Sequence, residues 1–144
     1  MTPGAARAAP FDSSAGLLAT APKRTGEIFM TITTDDAART SRVRALNDQL
    51  RKTCVGGAVV CTQGFSALPD ATKRKFMFAM RDFDAFTEEN DPHGEHDFGA
   101  VEVDGQKLFF KIDYFDRAMA LHSPDPADAS VTTRVLTIML ADEY

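Results

Sequence analysis

Residues 94–114, GEHDFGAVEVDGQKLFFKIDY, decide how this chain is read. Asp104-Gly105 is the strongest short-range signal for a two-residue turn, because type I′ geometry needs positive φ at both central positions. With those residues as the turn, Val101 lies opposite Leu108 and Gly99 opposite Phe110. One face of the hairpin then gathers Val101, Val103, Leu108, Phe110 and Ile112, the apolar side that must be buried. The other face sets Glu102 beside Lys107 and, at the open end, His96 beside Asp113, while Glu95 falls opposite Tyr114. Asp97 shares the core face with Ile112. It is therefore expected to be partly buried and to need donors, since an unpaired buried carboxylate protonates instead.

Working outward, a helix is expected over about 35–52. Thr34 offers a cap oxygen, Asp35 and Asp36 suit the positive helix start, and Arg51 and Lys52 suit its end. Val43, Leu46 and Leu50 mark its buried stripe, with Arg39, Arg42, Arg44 and Asp48 facing water. After the Gly56-Gly57 break, residues 58–62 read as a short buried strand, with Cys61 an inert core thiol. A second helix is expected over about 69–83, since Pro is tolerated at a first helical position. Phe76, Ala79, Met80 and Phe83 form its inward face. An acidic loop over 84–93 contains Asp91-Pro92, where the residue before proline leaves helical geometry. Residues 128–144 are ambiguous. Their β-branched VTTRVLTIML run suits a strand, yet Val131, Val135 and Ile138 share a helical face, and the expectation is a C-terminal helix packed across the sheet. The fold class is α+β, a small and mainly antiparallel sheet with a central hairpin, covered by helices in the order α-β-α-β-β-α.

The chain has 144 residues, 44% of them hydrophobic and eleven of them Phe. That suits one folded domain over 30–144. Residues 1–29, rich in Ala, Pro, Gly, Ser and Thr, read as a disordered or appended segment ahead of Met30. No apolar run approaches the roughly 20 residues that span a bilayer, and no signal-peptide core is seen, so the expected location is the cytoplasm. The net charge of −5 conceals a segregation. Residues 1–81 carry 12 Lys+Arg against 6 Asp+Glu, whereas residues 82–116 carry 2 against 11, a local net of −9.

Several blocks resemble an uncharacterised bacterial family, one of the numbered domains of unknown function seen mainly in alphaproteobacteria. They are RVRALNDQLRKT at 42–53, GGAVVCTQG at 56–64, ENDPHGEHDFGAVEVDGQKLFFKIDYFD at 89–116 and SPDPADASVTTRVLTIMLADEY at 123–144. The resemblance assigns no activity to any residue. Its members often look plasmid- or phage-borne, which implies accessory work for a mobile element, such as antagonising host defence.

Two readings of chemistry follow. In the first, the acidic loop and hairpin, with Glu88, Glu89, Asp91 and His93, form a surface that copies the charge of nucleic acid and binds a basic, nucleic-acid-handling protein. Direct nucleic-acid binding is not expected of an acidic chain without exposed stacking aromatics on its basic helices. In the second, His96, Asp113, Glu95 and Asp97 form an acid–base or metal-assisted catalytic cluster, since a carboxylate beside an imidazole orients it and raises its basicity. The plainer alternative is a cross-strand pair worth about 0.2–1 kcal/mol. HGEH matches no established ligand spacing, two cysteines cannot build a four-cysteine zinc cage, and no phosphate or dinucleotide loop occurs, so no metal or cofactor is expected.

Overall fold

The chain reverses at Asp104-Gly105, with φ of 50° and 79°. Strands β2 (Phe98–Val103) and β3 (Gln106–Phe115) pair antiparallel, with Val101 opposite Leu108, Gly99 opposite Phe110 and Glu102 opposite Lys107, as the turn chemistry requires. The turn is also tied down from outside, because Asp104 accepts from Thr72 Oγ1 at 2.8 Å and from Lys75 Nζ at 2.9 Å. Gly99 is needed for space. A Cβ there would lie 2.3 Å from Phe110 Cε2, so only glycine lets the opposite ring lie across the strand.

The computed structural model describes residues 34–144, and the appendage expected over 1–29 lies outside them. The chain divides into two units, Met1–Asp36 and Ala37–Tyr144. Helix α1 spans Thr34–Thr53, strand β1 Ala58–Cys61, the single turn α2 Gln63–Ser66, helix α3 Asp70–Asp82 and strand β4 Thr133–Leu140. Short 3-10 turns at Ala129–Val131 and Ala141–Glu143 flank β4. The sheet order is β1-β4-β3-β2, with β1 parallel to β4 and the other pairs antiparallel. This is the expected α+β class. Val43 and Leu50 of α1, and Phe76 and Met80 of α3, join Leu108, Phe110, Leu136 and Ile138 in one core. Among the described residues no helix is long and apolar enough to cross a membrane.

Two expectations are corrected. The C-terminal segment is not a helix but β4, placed between β1 and β3. Successive residues of a strand covered on both sides are buried together, which gives a continuous apolar run rather than an alternation and makes it look helical. Arg134, Val135, Leu136, Ile138 and Met139 are all buried. The second correction concerns β1, which is an exposed edge strand rather than a buried one. Val60 is 47% exposed, and Cys61 is an exposed thiol rather than a core one.

Candidate functional site

At the open end of the hairpin the ladder continues for one step, with Ile112 N–H donating to Asp97 O at 2.8 Å. It then stops, because His96 adopts φ 58° and Gly94 φ 69°. That left-handed backbone turns His96 away from β3. Its Nδ1 lies 3.0 Å from Asp48 Oδ1 on α1, its Nε2 lies 3.9 Å from Asp91 Oδ2, and its ring stacks on Phe86 at 3.8 Å and 4°. Asp113 pairs with Lys111 at 2.7 Å instead. His96 and Asp113 therefore do not form the expected cross-strand pair, and they line different recesses. Glu95 does meet Tyr114, but through the phenol, whose hydroxyl donates to Glu95 Oε1 at 2.8 Å.

That contact belongs to a buried polar network between α1 and the sheet. Asn47 Nδ2 donates to Tyr114 Oη at 2.7 Å and to Glu95 O at 2.9 Å, and Asn47 Oδ1 accepts from Arg134 Nε at 2.8 Å. Arg134 also donates to Pro126 O and lies over the Tyr114 ring, 5.3 Å from its centroid. Burial pushes the Tyr114 hydroxyl far above its ordinary value, and donation to Glu95 adds to this. Burial lowers the Arg134 guanidinium, with Tyr114 and Glu95 opposing. Arg51, 1% exposed, serves the neighbouring helix end. Its Nη1 donates to the carbonyls of Met80 at 2.7 Å and Phe83 at 3.0 Å, tying the end of α3 and the residue after it to α1. Its Nη2 pairs with Asp48 at 2.8 Å. Burial would raise the Asp48 carboxyl, but Arg51 and His96 more than offset it and hold it below its ordinary value.

None of Asn47, Asp48, Arg51 or Arg134 stands among the candidate residues read from the sequence. A signal for two of them was present. Val43, Asn47 and Leu50 lie at helical spacing, so the apolar stripe of α1 carries a polar residue, with Arg51 beside it. Polar groups on a buried stripe must be hydrogen-bonded, which is what these do.

The acidic loop leaves α3 at Asp82 and is pinned at several points. Thr87 N–H donates to Asn90 Oδ1 at 2.8 Å, Asn90 Nδ2 to Ala85 O at 3.0 Å, and Asp91 N–H to Thr87 O at 2.8 Å. Phe86 packs edge-on against Phe83 at 4.8 Å and lies under the Arg51 guanidinium at 5.3 Å. Asp91, expected among the exposed binding carboxylates, is only 7% exposed. Its oxygens accept from the backbone N–H of Glu95 at 3.0 Å and of His96 at 3.2 Å, so it is a strut of the loop. Glu88, Glu89 and His93 are exposed, as are Asp82 and Asp84. These four carboxylates form no ion pair among the described residues.

Asp97 lies half-buried, as its place beside Ile112 requires. It lines a recess of about 320 Å³ with Ile112, Asp113, Tyr114, Phe115 and His122. Burial raises its carboxyl, and the negative charge of Glu95 raises it further. Among the described residues, no group of three or more His, Cys, Asp or Glu is placed to hold a metal ion.

The model of a protein family of unknown function, DUF3768, matches residues 61–143. The chain belongs to that family. No curated protein and no solved structure matches it. The DUF3768 match runs from the last residue of β1 through β4, and so contains the acidic loop, Glu95, Asp97, Tyr114 and Arg134. Asn47 and Arg51 of α1 lie ahead of it.

Proposed function

We propose that this DUF3768 protein is a small cytoplasmic accessory protein of a bacterial mobile element, binding a basic, nucleic-acid-handling protein through its acidic loop and the adjoining hairpin end. The observation that carries this reading is the state of the loop charges. Asp82, Asp84, Glu88 and Glu89 are exposed and have no counter-ion among the described residues, while the backbone beneath them is fixed by Asn90, Asp91 and Phe86. Fixed, unmatched carboxylates create a field that steers a positively charged partner without an ordering cost at the moment of binding. The bacterial, mainly alphaproteobacterial range and the plasmid- or phage-borne context come from the family resemblance.

The acid–base alternative rests on His96 beside Asp113. With those two residues bonded to different partners, no observation favours it.

The test is capture from a host lysate at low salt, with the recovered protein identified and then studied in purified form. A complex that weakens steeply with salt and is lost in the Glu88→Lys/Glu89→Lys double variant supports the reading. Recovery of no basic partner at low salt, or a complex indifferent to that charge reversal, overturns it. Asp91 is left intact in this design because its role is internal.

A further inference from the structure

We propose that the recess lined by Asp97, Asp113, Tyr114, Phe115 and His122 is a socket for the guanidinium of an arginine on the basic partner; this deepens the interaction reading and rests on it. The recess is a notch in the edge of β3. On one side Asp97 O accepts from Ile112 N–H at 2.8 Å, and on the other Tyr114 O accepts from Ser123 N–H at 3.1 Å. Between them no strand of the described residues flanks β3 on this edge, since β2 begins only at Phe98 and the next bridge joins Phe115 to His122.

The charge in the notch is unbalanced. Asp113 has Lys111 as its partner at 2.7 Å. Asp97 forms no ion pair among the described residues; Glu95 and Asp91 repel its charge, against its own backbone N–H and a weaker attraction from His93. A half-buried carboxylate without a cation is a cost to the fold that an arriving cation offsets. A metal ion is not served, because the groups do not converge as three ligands. The walls choose between the organic cations. Two of the lining residues, Phe115 and His122, carry rings, and a guanidinium is planar, weakly hydrated and stacks on rings, whereas an ammonium is compact and strongly hydrated.

The probe is the end-blocked tripeptide Gly-Arg-Gly, with Gly-Lys-Gly as control, titrated into the full chain and followed by amide chemical shifts. The expected result is saturable shifts at Asp97, Phe115 and His122, with the arginine peptide bound more tightly than the lysine one. Asp97→Asn weakens binding about tenfold, the scale of one charge-assisted hydrogen bond. His122→Ala weakens it less. Shifts confined to residues 84–90, or equal binding by Asp97→Asn and the unaltered protein, overturn the socket. If the peptide occupies the notch while no basic protein is captured, the socket stands and the interaction reading falls. If a captured partner binds Asp97→Asn and His122→Ala at full strength, the socket falls alone.

Discussion

The space beneath α1 and the loop that leaves α3 both hold concentrated charge, and they treat it in opposite ways. Under α1, Arg51 and Arg134 are buried at 1% and 2% exposure, and each guanidinium meets at least one backbone carbonyl, a side-chain oxygen and an aromatic ring. Arg51 Nε is buried without an acceptor among the described residues. On the loop, Glu88 and Glu89 stand exposed with no ion-pair partner among the described residues. Buried charge is tolerable only when matched, so the first region shows what the fold needs. Exposed charge costs the fold little when unmatched, so the second is free to serve an encounter. Asp97 lies between these cases, enclosed like the first and unmatched like the second.

The sharpest way to break this contrast is to remove the buried cation. Arg51→Met removes the guanidinium donors from the Met80 and Phe83 carbonyls and leaves Asp48 with His96 alone, and is expected to cost about 3–5 kcal/mol in urea unfolding. A loss under 1 kcal/mol would mean that the network is decorative. Next comes Gly99→Ala, which forces the Phe110 ring aside. The expected loss is about 1–3 kcal/mol, the usual cost of overpacking; an unchanged midpoint would deny the close approach.

Asp97→Asn has the opposite sign. Burial and Glu95 raise this carboxyl in the folded state, so its ionisation opposes folding. That penalty is absent below the ordinary value of 3.8 and complete above the raised folded value. The variant should therefore melt higher at pH 7 and lose that advantage below about pH 3.8, the ordinary value. A lower melting temperature at pH 7 would show that the carboxylate is matched after all. The smallest effect on stability belongs to Glu88→Lys/Glu89→Lys, within about 0.5 kcal/mol, as for surface positions generally. Salt-dependent partner binding should nonetheless disappear, and a stability loss like that of Arg51→Met would erase the distinction between the two regions.

Of the candidate site, the sequence exposed the acidic loop residues and the enclosure of Asp97, because charge counts and strand alternation are local properties. It misplaced His96 and Asp91. Both depend on Gly94 and His96 adopting positive φ, which lets the loop fold back toward Asp48 on α1, almost fifty residues earlier in the chain.

The same division holds for the protein as a whole. Local stereochemistry alone determined the Asp104-Gly105 turn, the hairpin register, both long helices and the α+β class, since turn type, helix ends and periodicity are set by neighbours in sequence. Only the tertiary structure decided that 133–140 is a central strand, that β1 is an exposed edge, and that Asn47, Arg51 and Arg134 are buried. Those outcomes depend on which distant groups arrive to satisfy a backbone edge or a buried charge, and that information lies in the assembled fold.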